Sequence, residues 1–135
     1  IQIQKGTFFT GKNEKNLQGK GLMKINGQEV FKFAVRKVPQ CIDAALEKAA
    51  LKPEEVDLYL LHQANCRIIQ SVAKRLGQPE EKFPMNLNEC GNTSAASLPI
   101  LMAQLDEQGK LNRGDTLVLS GFGAGLTWGA CVIKW

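Results

Sequence analysis

A single histidine serves all 135 residues, and that scarcity excludes a good deal. With no second imidazole the common Cys/His zinc patterns cannot be completed. The four cysteines, Cys41, Cys66, Cys90 and Cys131, contain no Cys-x-x-Cys pair. No metal site is expected, and no other resident cofactor. Aromatic residues make up only 7% and are not interleaved with basic runs, which argues against a stacking platform for nucleic acid. The apolar runs are of strand length and nothing has the build of a signal peptide, so no membrane partner is expected. Free thiols then fit a reducing cytoplasm. A strong excess of one charge is lacking as well. Seventeen basic residues against thirteen acidic leave +4, too little to imply nucleic acid but suited to an acidic partner if the charges cluster. There is no initiator methionine. The opening Ile1-Gln2-Ile3-Gln4 alternates like a strand entered partway, which suggests a fragment or processed product.

What is present suffices for one domain with one core, at 44% apolar and 22% charged residues. The run Val56, Leu58, Tyr59, Leu60, Leu61 reads as a covered strand that ends on His62. A helical stripe follows, Ile68, Ile69, Val72, Ala73 and Leu76, stopped by Gly77 and Pro79. His62 therefore falls at the carboxyl end of a strand, where open α/β sheets bind ligands. Before it, Gly6 to Gly21 reads as a long surface loop, and Asn26-Gly27 as a turn. Glu29 to Ala50 reads as a helix that either kinks at Pro39 or restarts there. After it, Phe83 to Leu87 reads as a short strand. Asn92 and Thr93 can cap a helix running from about Leu98 to Gly109. Thr116–Ser120 and Leu126–Lys134 read as an antiparallel hairpin around a five-residue turn, at one side of a mixed sheet.

Three groups can carry chemistry, each beside a plainer structural role. His62 either fills space at a strand end or acts from it. Asn92 is either a helix cap or a hydrogen-bond donor. The stretch Gly121-Phe122-Gly123-Ala124-Gly125 is either a flexible turn or a backbone that approaches an oxygen atom. It is not a phosphate loop, since no Lys-Ser/Thr pair follows and the next element is a strand. The small residues Ala95, Ala96 and Ser97 allow close backbone packing. Arg67, Lys74 and Arg75 share one helix face, with Lys32 and Arg36 on the preceding helix.

Taken together, His62-Gln63-Ala64-Asn65, Gly91-Asn92-Thr93-Ser94-Ala95-Ala96-Ser97 and Gly121-Phe122-Gly123-Ala124-Gly125-Leu126-Thr127-Trp128-Gly129 resemble β-ketoacyl-acyl-carrier-protein synthase III, in order and in the spacing of His62 and Asn92. The likeness runs from about Leu22 to Trp135. It implies the C-terminal half of a thiolase-like enzyme as a single domain over residues 1–135. The fold implied is α/β, a mixed, mostly parallel five-stranded sheet with helices packed on it and a C-terminal antiparallel hairpin. The activity implied is the initiating decarboxylating Claisen condensation of fatty acid synthesis, between acyl-CoA and malonyl-acyl-carrier protein. His62 and Asn92 donate to the malonyl thioester oxygen, with a backbone amide or carbonyl fixing the histidine tautomer. Phe122 and Gly123 shape the wall near the reacting carbon, and Asn65 and Gly27 line the pantetheine channel. Lys32, Arg67, Lys74 and Arg75 dock the acidic carrier protein. The nucleophilic cysteine belongs to an N-terminal half absent from this chain. Cys66 and Cys90 flank the motifs but match nothing in the family, and read as small buried fillers. The further partners implied are that N-terminal half and, for the complete enzyme, a second subunit. A non-catalytic carrier-protein or CoA-binding module stays open, as does a polyketide-starter or thiolase-type relative.

Overall fold

The computed structural model describes residues 2–3 and 23–135; the loop expected over Gly6–Gly21 lies outside them. Two short strands, β1 (Gln2–Ile3) and β2 (Met23–Lys24), pair antiparallel as a separate two-stranded sheet. Asn26 then begins helix α1 (Gly27–Lys48). Its side-chain oxygen accepts from the Glu29 amide at 3.2 Å, satisfying one of the orphan donors of the first turn. The stripe Ala34, Val38, Ile42 and Leu46 recurs every four residues and is buried throughout. Of the two alternatives at Pro39 the chain takes the first in part: a single helix runs through it, with Pro39 on the buried side.

Strand β3 (Leu58–Leu61) follows a 3-10 turn at Pro53–Glu55, and helix α2 (Cys66–Leu76) follows β3. Gly77 ends α2 in the left-handed conformation, its amide returning to Ala73 and Lys74 carbonyls. A four-residue helix α3 (Leu87–Cys90) and a 3-10 turn at Ser94–Ala96 lead into α4 (Ser97–Glu107). Strands β4 (Thr116–Gly123) and β5 (Thr127–Lys134) close the chain. The sheet order is β3-β4-β5, parallel across the first pair and antiparallel across the second.

Alternation along β3 decides the layers. Tyr59 and Leu61 enter a core with α1, α2 and Val118 of β4. Leu60 enters a second core with Leu117 of β4 and Leu101 and Leu105 of α4. Helices thus cover both faces, which explains an apolar run without a polar residue before His62. Each fully buried Leu or Ile contributes roughly 1.5–3 kcal/mol of transfer free energy, so the strand is fixed from both sides.

Three expectations are corrected. Among the described residues no five-stranded sheet is found: their five strands divide into one pair and one triplet. Nor are the pairings described mostly parallel, with one parallel against two antiparallel. Phe83–Leu87 forms no strand. Pro84 has no amide for a ladder, and the Asn86 amide is taken at 3.2 Å by the side-chain oxygen of Gln63. Phe83 instead stacks flat on Tyr59, ring centroids 4.7 Å apart, and serves the core. The hairpin turn is shorter than five residues. The ladder continues through Gly121–Gly129, Phe122–Trp128 and Gly123–Thr127, leaving Ala124–Leu126 to turn. Gly125 sits there at φ 140°, where a Cβ would lie 2.7 Å from the Thr127 methyl.

Candidate active site

His62 is the first residue past β3, and the β3–β4 ladder extends to it: its amide donates to the Ser120 carbonyl at 2.8 Å. The backbone therefore fixes where the imidazole begins. Two contacts fix where it points. Its ring meets Phe122 edge-on, centroids 5.4 Å apart, and its Nδ1 lies 2.7 Å from the Ser97 hydroxyl. The partner expected for this ring was a backbone amide or carbonyl; it is a side chain from the first residue of α4. Ser97 is 1% exposed and also accepts from the Gln63 amide at 3.3 Å.

Gln63 is fully buried beside it. Its NH2 group donates to the Leu61 carbonyl at 2.8 Å and its oxygen accepts from Asn86. A buried amide must spend its polar atoms, and this one ties the end of β3 to the chain that precedes α3. Sequence reasoning missed both roles. For Gln63 a signal existed, a glutamine continuing an otherwise buried run. For Ser97 none did, because its partner is 35 residues away.

Asn92 is held differently. It is exposed, and its side-chain oxygen accepts from the Ser94 amide at 2.9 Å. That bond is an Asx turn rather than a cap on α4. It also settles which end of the amide is oxygen, so both NH2 hydrogens are left without an acceptor among the described residues. The backbone around it is unusual: Gly91 at φ 64° and Ser94 at φ 54° both lie in the left-handed region.

His62, Asn92, Asn65, Gly27, Phe122 and Gly123 all line one cleft of about 590 Å³. Ile25, Phe31, Ile68 and Leu98 supply apolar wall. Among the described residues no carboxylate, amine, guanidinium or thiol lines it. The expected glycine loop is in fact the end of β4, so Phe122 and Gly123 reach the cleft from a paired strand. Asn65 caps α2, its oxygen accepting from the Arg67 amide at 2.9 Å. Burial pushes the His62 imidazole below its ordinary value of 6.5, so the ring is neutral at neutral pH.

The cysteines stay outside the cleft. Cys41 lies 3.6 Å from the Ser120 hydroxyl, and burial raises its thiol above the ordinary 9.0. Cys90 is half-buried and accepts from Gln104 at 3.5 Å, while Cys66 is exposed rather than the buried filler expected. Arg67, Lys74 and Arg75 are exposed along α2, which starts at the cleft rim with Asn65. Lys32 and Arg36 are exposed on α1, and α1 packs against α2. Lys32 is engaged at 3.0 Å by Glu29. A second cleft of about 600 Å³, bordered by Glu80, Glu81 and Glu89, contains none of the candidate site residues. Among the described residues no helix is long and apolar enough to cross a membrane.

Comparison with known proteins bears on this geometry. The family described as 3-oxoacyl-[acyl-carrier-protein (ACP)] synthase III C terminal matches residues 46–135. A β-ketoacyl-[acyl-carrier-protein] synthase III of Lactobacillus delbrueckii subsp. bulgaricus is 59% identical over 111 residues, which is 82% of this chain and 35% of that protein. A namesake in Staphylococcus epidermidis is 53% identical over 115 residues, 85% of this chain and 37% of its own length. Among solved structures, a 3-oxoacyl-[acyl-carrier-protein] synthase III from Aquifex aeolicus superposes with TM-score 0.83 at 45% identity, over 85% of this chain and 37% of that one. The chain thus spans a little over a third of the length of the relatives it matches.

Proposed function

This chain belongs to the C-terminal family of 3-oxoacyl-[acyl-carrier-protein] synthase III, thiolase-like condensing acyltransferases of fatty acid biosynthesis, and on that premise we propose that it supplies the decarboxylation half of such an enzyme's active site. The complete enzyme first transfers an acyl group from acyl-CoA to a cysteine of its N-terminal half, releasing CoA. Malonyl-carrier protein then loses carbon dioxide. The enolate attacks the acyl thioester, the cysteine thiolate leaves, and 3-oxoacyl-carrier protein is the product. His62 and Asn92 are the donors to the malonyl thioester oxygen, where negative charge develops as the carboxylate departs. Phe122 and Gly123 bound the space at the reacting carbon, and Asn65 and Gly27 line the pantetheine path.

One observation carries this reading: among the described residues the cleft holds neutral hydrogen-bond donors among apolar walls and no ionised side chain or thiol. Among the described residues such a site offers no thiol for an acyl-enzyme, yet it is suited to charge that appears only in the transition state. Fixed donors in a dry, low-dielectric site act most strongly there. The absence of a thiol from the cleft also favours a second reading, a module that binds carrier protein or CoA without chemistry. Arg67, Lys74 and Arg75, with Lys32, serve carrier-protein docking under either. The complete enzyme acts in the cytoplasm as a dimer.

Intact-mass measurement on the 135-residue chain incubated with acetyl-CoA tests the division of labour. No acetyl adduct is expected, because the nucleophile belongs to the other half. A stoichiometric adduct on this chain would overturn it. Malonyl decarboxylation by the complete enzyme, lost on removing His62, separates the enzymatic reading from the binding module.

A further inference from the structure

The hydrogen-bond accounts of His62 and Ser97 close in only one way. A serine hydroxyl has one hydrogen to give and lone pairs to receive. The Gln63 amide can only donate, so it occupies a lone pair of the Ser97 oxygen at 3.3 Å. Ser97 is 1% exposed, so water does not take its hydrogen. The usual helical alternative is a carbonyl one turn back. Here that carbonyl, Thr93, already receives the Ala96 amide at 3.1 Å, and no bond from Ser97 reaches it. The remaining acceptor is Nδ1 of His62 at 2.7 Å. A proton on Nδ1 would instead aim two donors at one oxygen and leave the hydroxyl hydrogen buried without a partner, a penalty large enough to bias the tautomer roughly tenfold or more.

We propose that Ser97 is the positioning residue that sets the tautomer of His62: its hydroxyl donates to Nδ1, so the proton of the neutral ring sits on Nε2. That nitrogen has no partner among the described residues and is left for the cleft. At 1% exposure Ser97 acts through the ring rather than on substrate. It converts an imidazole that can be donor or acceptor into a fixed donor, the form an oxyanion requires. The same oxygen receives the Gln63 amide, so one side chain at the start of α4 holds both ring and backbone at the end of β3. The run of small residues before α4 thereby acquires a polar purpose at its last member. The catalytic consequence rests on the synthase reading above; the tautomer does not.

Because His62 is the only histidine, imidazole-¹⁵N labelling of the 135-residue chain gives the two nitrogens of one ring. Measured well above the ordinary histidine value of 6.5, Nε2 is expected to carry the proton and Nδ1 to be bare. Ser97→Ala is expected to turn this into a mixture, and Ser97→Thr, which keeps the hydroxyl, to restore it. In the complete enzyme Ser97→Ala should lower malonyl decarboxylation about tenfold, with recovery in Ser97→Thr and acyl transfer from CoA little changed. A proton on Nδ1 in the unaltered chain overturns the inference without any variant having to fold. So does an unchanged tautomer in Ser97→Ala. A complete enzyme that decarboxylates normally without His62 overturns the functional reading instead, whatever the spectrum shows.

Discussion

The two sides of the cleft are built by opposite means. On the β3 side, His62 is held by a ladder bond, a ring contact and a buried serine, and its neighbour Gln63 is clamped by its own polar atoms. On the other side Asn92 is exposed and, among the described residues, its side chain is bonded only to Ser94 within its own loop. His62, the first of the two proposed donors, is pre-organised by this domain's core. The second keeps its shape by local turn geometry and presents its amide hydrogens to whatever lies opposite. Pre-organisation matters because a donor already in place needs no rearrangement as charge develops. On the proposed reading, the face of the cleft at Asn92 is the one that the rest of the enzyme would complete.

The largest effects should come from removing either donor. In the complete enzyme, His62→Ala and Asn92→Ala should each reduce malonyl decarboxylation by about 10²–10³. Equal catalytic losses from such unequal settings would show that function, not rigidity, sets the value of each. Stability should separate the two sides. Gln63→Leu strands the buried Leu61 carbonyl and the Asn86 amide and should destabilise the chain by about 3 kcal/mol in urea denaturation, at roughly 1–3 kcal/mol for each orphaned group. Asn92→Ala loses one exposed turn bond and should cost about 0.5 kcal/mol by the same measure. A large stability loss at Asn92 would break the contrast.

Legibility followed the same divide. Strand β3, His62 at its end and α2 with its Gly77 stop could be read directly, because double-sided burial writes a continuous apolar run and a helix writes its period. The hairpin was readable from the apolar run of β4 and the glycine-rich stretch after it, although β5 is exposed or half-buried along its length. Features that depend on polar partners distant in sequence were not. Phe83–Leu87 has strand-like residues, but Gln63, some twenty residues earlier, takes the Asn86 amide that a ladder would need. The glycines at 121 and 123 suggested a loop, yet β5 supplies partners for both. Ser97 looked like a packing residue because nothing local reveals that it faces His62.

Smaller effects sharpen the docking side of the comparison. Arg67→Glu in the complete enzyme should raise KM for carrier-protein substrates about tenfold and leave CoA substrates nearly unchanged, with the gap closing at high salt. Equal loss for both substrates would assign Arg67 to the fold instead.

The smallest effect is a pH dependence. His62 is depressed below 6.5 in the folded chain, so the unfolded chain takes the proton more readily. Its contribution to stability is therefore full above the unfolded value, and is lost as pH falls through 6.5 and past the folded value. Denaturation midpoints should drop on acidification through that window, and His62→Gln should flatten this part of the profile. An unaltered slope in that variant would place the titration elsewhere.

The most direct test of two donors acting on one oxygen is a double-mutant cycle in the complete enzyme, with malonyl decarboxylation and acyl transfer from CoA measured separately. If His62 and Asn92 serve the same developing charge, the double alanine variant should decarboxylate little worse than the worse single variant, since groups that act as a unit are not additive. Acyl transfer should survive better in all three. Loss of acyl transfer with decarboxylation intact would contradict the account, making His62 the base for the cysteine and leaving Asn92 a residue of its turn.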